Sequence, residues 1–306
     1  MSDILFSLWP LFVLIVVGHI MQRSGFPGAG FWPGAERFNY FVLFPALLFS
    51  SLSGAPLNNP ALPRLLVVLV VVLGVVTAGL LAARRIRQWP AARFGVQLQG
   101  LLRFNTYLGI AAVSGLYGKE GMVFAAVILA VLVPAVNVLS VLALSADRSR
   151  SVRSLLVPVI KNPLILACLA GALFNLSGLE LKWGTDRLLT LLANTSLPLG
   201  LLCVGAALKL EELRGQGAAL LGNSLVRLLA VPAVAFLSAW LLGLPEIETV
   251  VVVVFFALPT APSAYVLTRQ LGGDSHLMAG LITFQTLLSA VTLLLVMAAL
   301  AQIHAP

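Results

Sequence analysis

Two short stretches set polar groups inside long apolar runs: Arg103-Phe104-Asn105-Thr106-Tyr107-Leu108-Gly109 and Ala257-Leu258-Pro259-Thr260-Ala261-Pro262-Ser263. Pro259 and Pro262 lack a backbone N–H and clash with the preceding turn, so a helix through them frees carbonyl groups. In hydrocarbon such carbonyls are tolerated only where protein or a water-filled cavity satisfies them. The half-helix that starts after a break presents free N–H groups and a partial positive charge, which suits an anion. Two such breaks meeting in the chain's interior would bind a carboxylate with little formal charge. An ordinary proline kink is the plainer alternative for the second stretch. The first has no proline and depends on Asn105 and Gly109 to interrupt it.

Arg103 adds a cation to this picture. It lies ten residues beyond Arg93, or roughly 15 Å of helix, and an arginine at such depth faces a cavity or a partner. A guanidinium could clamp a carboxylate with its fork of donors. It could equally bond freed carbonyls, or snorkel to the rim. Arg227 sits nearer the end of its apolar run and reads as a snorkelling residue. The candidate substrate-binding set is Arg103, Asn105, Thr106, Tyr107, Gly109, Pro259, Thr260, Ser263 and Gln285. Gln285, Ser289 and Thr292 share one helix face, which interhelical hydrogen bonding explains about as well as a pathway does. His19 and His276 stand near helix ends and could titrate near neutral pH, although a solvated cap is the simpler role for His276.

Some chemistries are excluded. All 11 acidic residues fall in loops or at helix ends, so no midplane carboxylate is present to carry protons. A coupled cation would need neutral ligands such as Asn105, Thr260, Ser263, Thr283 or Gln285. The Ser–His or paired-Asp sets of intramembrane proteases and the Asp-rich motifs of prenyl-transferring enzymes are missing, so no catalytic residue, metal site or cofactor is expected. Cys168 and Cys203 lie inside apolar runs without metal-type spacing and read as small core residues.

The elements that must position these residues are membrane helices. The chain of 306 residues is 60% apolar and 10% charged, whereas soluble domains carry about 25% charged residues. With about 20 apolar residues needed per crossing, ten spans are read at 4–22, 37–53, 63–83, 94–117, 121–145, 157–177, 186–208, 218–242, 247–269 and 276–301. The N-terminus lacks a basic region and a small-residue cleavage site, so the first run reads as a retained helix. Loops after the odd-numbered spans hold Arg23, Arg37, Arg84, Arg85, Arg87, Arg93, Arg148, Arg150, Arg153, Lys161, Lys209, Arg214 and Arg269. The opposite loops hold only Arg64, Lys119, Lys182 and Arg187. Both termini are therefore expected outside the cytoplasm. The net charge of +8 is concentrated in those loops, where it meets anionic lipid and needs no nucleic acid.

The two halves repeat. At an offset of 153, Pro10-Leu11, Gly18, Ser24-Gly25 and Pro45 fall on Pro163-Leu164, Gly171, Ser177-Gly178 and Pro198. At 154, Asn105-Thr106, Gly118 and Glu120 fall on Pro259-Thr260, Gly272 and Asp274. An odd number of spans per half makes the repeats inverted, with 1–146 and 157–306 as the two units and 147–156 as a cytoplasmic hinge. Inverted repeats accompany alternating access, with substrate bound near the midplane where broken helices meet. A carrier is thus expected, in preference to a pore or an enzyme.

The chain resembles the auxin efflux carrier family, which includes bacterial members and the plant PIN-type carriers. The matching stretches are Phe38-Asn-Tyr-Phe-Val-Leu-Phe-Pro45, Arg103 to Gly109, Lys161-Asn-Pro163, Pro198-Leu-Gly-Leu-Leu-Cys-Val-Gly-Ala206, Ala257-Leu-Pro259 and the Thr283 to Thr292 segment. The resemblance implies an all-α integral membrane fold of two inverted five-helix repeats with helices four and nine crossing beside the substrate, an architecture shared with bile-acid symporters and sodium/proton antiporters. It also implies a scaffold of helices one, two, six and seven, a homodimer through that scaffold, and a place in the cell (inner) membrane. The substrates it implies are small organic acids, from auxin-like weak acids to small carboxylates. A sodium-coupled organic-acid symporter is the alternative. Two departures stand out: the long central loop of plant members is absent, and Gly109-Ile110-Ala111 replaces a Gly-Ile-Pro continuation.

Overall fold

The computed structural model describes residues 2–28, 30–54, 61–146, 161–214 and 216–303. Among these the chain is helical, with one isolated antiparallel bridge between Phe104 and Thr260 and no extended strand. The helices are α1 (Ser2–Arg23), α2 (Phe31–Phe38), α3 (Phe44–Ser53), α4 (Leu62–Arg87), α5 (Ala91–Leu102), α6 (Thr106–Leu144) and α7 (Pro163–Leu176). They continue as α8 (Thr185–Ala206), α9 (Gly217–Leu225), α10 (Val231–Leu241), α11 (Glu246–Ala257), α12 (Ser263–Gln270) and α13 (Ser275–Ile303). The expected hinge at 147–156 and the start of the sixth span lie outside the described residues.

Six stretches are long and apolar enough to cross a membrane by themselves: Phe6–Arg23, Leu62–Arg87, Thr106–Leu144, Thr185–Ala206, Gly217–Leu241 and Ser275–Ile303. Their outer faces carry large exposed apolar side chains, including Phe6, Val70, Leu191 and Leu237, which only lipid can cover without cost. The β-branched Val run of α4 forms a helix because in hydrocarbon every peptide group must be bonded within its own segment. Arg84, Arg85 and Arg87 in its last turn complement the helix dipole.

The 39 residues of α6 would reach roughly 58 Å as one rod, about twice the hydrocarbon thickness. Gly118 divides them, at φ 53° and ψ −134°, a conformation glycine alone adopts readily. The boundary expected near Gly118 therefore stands at that residue. Two π-helical turns, Asn39–Leu43 and Val226–Ala230, each run directly into a helix with proline at its second position, Pro45 and Pro232. A proline ring clashes with the carbonyl four residues back, and widening the preceding turn relieves that clash. Each widened turn also carries one fully buried polar residue, Asn39 and Arg227. Asn39 is locked to α8: its Nδ2 donates to the Ser196 carbonyl at 2.9 Å, and Ser196 Oγ donates to its Oδ1 at 2.8 Å.

Helix pairs α1–α8 and α3–α7 pack most closely. A Cβ on Gly18 would strike the Leu202 backbone and one on Gly171 the Phe49 carbonyl. Those two contacts, Gly18 to Leu202 and Gly171 to Phe49, interchange under the 153-residue offset. Left-handed glycines interchange too: Gly25 and Gly178 at φ 77° and 66° under the same offset, Gly118 and Gly272 at 53° and 72° under an offset of 154.

The close approach of α1 and α8 yields a direct test. A Cβ on Gly205 would meet the Ile15 carbonyl, whereas one on Gly79 of α4 meets nothing within 4 Å. Gly205→Ala is expected to cost roughly 1–3 kcal/mol through forced separation of the helices, and Gly79→Ala to be neutral or stabilising. Thermal unfolding of the two purified variants checks this; equal melting temperatures would contradict the packing.

Candidate functional site

The centre of the molecule is two interrupted helices. α5 ends at Leu102, Arg103 and Asn105 are extended at ψ 110° and 100°, and α6 begins at Thr106. α11 ends at Ala257, Leu258 is extended at ψ 149°, and α12 begins at Ser263. Extended backbone cannot satisfy itself, so each link serves the other. Asn105 N–H donates to the Pro259 carbonyl at 2.8 Å, and Ala261 N–H to the Arg103 carbonyl at 3.4 Å. The two interruptions expected from sequence are thus joined at one antiparallel crossing. Ile110-Ala111, without the proline, does not prevent the first, because Asn105 caps the new helix: its Oδ1 accepts from Leu108 N–H at 3.2 Å.

Four helix ends converge at such a crossing, two carbonyl ends and two N–H ends. Arg227 occupies the carbonyl side. Its Nε donates to the Leu258 carbonyl at 2.7 Å, Nη1 to Leu101 at 2.6 Å and Nη2 to Phe255 at 3.3 Å. The expectation that Arg227 snorkels is overturned: its side chain is fully buried. The π-turn around it aims it inward, where one cation caps the negative ends of α5 and α11 together.

On the N–H side lies a small cavity of about 50 Å³ lined by Tyr40, Arg103, Thr106, Asn137, Ala261 and Ser263, among others. Arg103 Nε donates to Ser263 Oγ at 3.3 Å. Its Nη1 is buried with no hydrogen-bond partner among the described residues, as is Nδ2 of Asn105. Two donors thus stand unused beside the N-termini of α6 and α12. A buried donor left unbonded costs about 1–3 kcal/mol, so the arrangement is suited to accept an anionic oxygen.

The other expected residues divide by place. Thr106 and Ser263 line the cavity with Arg103. Pro259 contributes its carbonyl to the crossing. Gly109 lets α6 lie against Leu258 and Phe255. Thr260 and Gln285 sit in a closed network. Gln285 Oε1 accepts from Thr260 N–H and Oγ1 at 2.9 and 2.7 Å, and its Nε2 reaches the Gly100 carbonyl and Asn223 Oδ1 at 3.1 and 2.9 Å. That is the full capacity of an amide, so Gln285 holds the crossing and has no donor to spare. Tyr107 turns toward the α3–α8 side, its ring 5.1 Å from Phe44 and tight against Gly200. Thr283 Oγ1 accepts from Lys209 N–H at 2.9 Å. Along α13, Ser289 bonds the Thr286 carbonyl of its own helix.

Tyr40, Asn137 and the Asn223–Gln97 pair were not anticipated. Tyr40 falls in the Phe38 to Pro45 motif, and Asn137 is a lone amide in an apolar run, which is the available signal for each. Asn223 Nδ2 donates to Gln97 Oε1 at 2.6 Å and extends the network behind the crossing. Cys168 and Cys203 are free and buried, as expected. No cluster of three or more His, Cys, Asp or Glu suited to a metal occurs among the described residues.

The chain is 28% identical over 283 residues to a protein of Methanothermobacter thermautotrophicus named as an uncharacterized transporter, an alignment covering 92% of this chain and 93% of that relative. Residues 145–297, half of the chain, match the family model described as membrane transport protein. A membrane-embedded helical fold, two interrupted helices crossing at its centre and this match together place the chain in the membrane transport protein family, that of the auxin efflux carriers.

Proposed function

We propose that the protein is a secondary carrier of small organic anions that works by alternating access, with the substrate carboxylate bound at the crossing. The observation that carries this reading is the buried, unused Nη1 of Arg103, a residue that lines the cavity beside the N-termini of α6 and α12. The cavity admits a carboxylate head; the remainder of the acid requires the opening that transport itself supplies. The interchange of glycine contacts and left-handed glycines under offsets of 153 and 154 supports two inverted five-helix repeats. Counting α2–α3, α9–α10, α5 with the start of α6, and α11–α12 as one crossing each, and dividing α6 at Gly118, yields ten. Helices α1, α2–α3, α7 and α8 form the scaffold, and a homodimer through their outer faces completes the reading.

The sodium-coupled alternative is disfavoured by Arg227. A coupling cation is attracted to carbonyl ends of broken helices, and at this crossing a guanidinium already bonds them. Reconstitution into liposomes tests the function. Saturable counterflow of a labelled small carboxylate, undiminished when sodium is replaced, is expected, and Asn105→Ala should abolish it with insertion intact. Unsaturable leak would indicate a pore, and strict sodium dependence the symporter.

The orientation follows from the uneven loop charges and has its own test. A reporter active only in the cytoplasm, fused after Pro306, is expected to stay silent in the inner membrane. Strong signal would reverse the topology and put Arg84, Arg85 and Arg87 outside.

A further inference from the structure

A second, larger cavity of about 600 Å³ runs between α4, α5 and the α9–α10 helix, apart from the crossing. Its walls are apolar, with Val75, Val76, Leu80, Val226 and Val234 among them, and its floor is Gln97 with Asn223. At one end stand Arg87, Trp89 and Arg93. Val75 is 51% exposed and Val226 42% exposed, so the groove opens sideways, toward the acyl region of the bilayer.

Two features require an occupant. Gly79 and Gly222 line the groove, and a Cβ on either would meet nothing within 4 Å. Glycine inside a helix costs about 1 kcal/mol relative to alanine, and neither here admits a neighbouring helix. The volume is that of a ligand site. The rim is also basic: Arg87 and Arg93 line it, and no acidic residue occurs between Glu36 and Glu120. Arg87 and Arg93 are exposed and have no ion pair among the described residues.

We propose that this groove binds one anionic phospholipid, its acyl chain along α4 and its phosphate on Arg87 and Arg93. An apolar trough ending in two arginines and a tryptophan matches a lipid that has an apolar tail, a negative head and an interfacial boundary between them. A second copy of the chain does not match. Copies in one membrane share their orientation, so a twofold contact here would bring arginine ends against arginine ends. The floor residue Asn223 bonds Gln285, which holds Thr260 at the crossing. A bound chain therefore keeps water from that network, and the lipid becomes part of the transport machinery's support.

The test uses the full-length protein and two probes of identical chain length, phosphatidylglycerol and phosphatidylcholine. After delipidation, native mass spectrometry counts lipids retained per chain, and thermal shift titration measures their affinity. One phosphatidylglycerol per chain is expected, with phosphatidylcholine about thirtyfold weaker, the effect of two arginines on an anionic head. Arg87→Gln with Arg93→Gln, both on the exposed rim, should erase that preference. Gly79→Leu with Gly222→Leu should fill the trough and lose both lipids while the protein remains folded and monodisperse. Equal affinity for the two lipids in the wild type overturns the proposal. So does retention of phosphatidylglycerol by the filled variant, or a change of oligomeric state without loss of lipid, which would identify a second copy as the occupant.

Discussion

Replacing Arg227 with leucine is expected to destabilise the protein more than any other single change at the crossing. The side chain is fully buried, and its three hydrogen bonds among the described residues go to main-chain carbonyls of two different half-helices. Burying a guanidinium is itself costly, and replacing a buried ion pair by apolar residues is often neutral. That exchange does not apply here, because the partners are peptide carbonyls that cannot be removed with the charge. Leucine would leave the Leu101, Phe255 and Leu258 carbonyls in an apolar site without donors, at about 1–3 kcal/mol each. It would also leave two negative helix ends facing one another. The net loss should be on the order of 3–5 kcal/mol, seen as a fall of roughly 5–10 °C in the melting temperature of the purified protein. Arg227→Lys retains the charge but cannot span both helix ends, and should fall between. A leucine variant that melts with the wild type would mean that the crossing is held by its other bonds alone.

The same residue marks the limit of what sequence conveyed. The break at Pro259 was legible because a missing N–H and a steric clash are properties of the residue itself. The break at Asn105 was legible because it falls on Pro259 when the halves are superposed, and Asn105 proves to donate its N–H to that residue's carbonyl. Gly118 was legible as a division because Gly118-Lys119-Glu120-Gly121 interrupts an otherwise apolar run. The depth of Arg227 was not legible. Counting residues from the end of α9–α10 gives its height in the bilayer but not the direction it faces, and the π-turn at Val226–Ala230 alters that direction. Nor does sequence indicate that the carbonyl ends of α5 and α11 lie at the same height. Gln285 lies beside the crossing, but whether an amide there is open to a ligand or saturated depends on Asn223 and Gly100, on other helices. Tyr40 and Asn137 reach the cavity through packing between helices distant in sequence, which local periodicity does not encode.

Arg103 should set the preference for anions. Its Nε is held by Ser263, which orients the guanidinium, and its Nη1 is buried without a partner among the described residues. Among the described residues no carboxylate forms an ion pair with it, and in the whole chain no acidic residue lies in the middle of an expected span. The natural counter-charge is therefore a ligand's. A bond from a charged donor is worth about 1.5–3 kcal/mol, or roughly ten- to a hundredfold in affinity. Arg103→Gln keeps an uncharged donor on a side chain two bonds shorter and should lower affinity for a small carboxylate by that factor, while its uncharged amide analogue changes little. Arg103→Lys preserves the charge and loses the planar fork, so its affinity for the acid should be intermediate. The measurement is binding of acid and amide to wild type and both variants under one condition. A purely structural role, in which Arg103 only holds Ser263 and the start of α12, predicts equal losses for both ligands. The difference between the two losses is what a bound carboxylate contributes, and its disappearance would remove Arg103 from the substrate site.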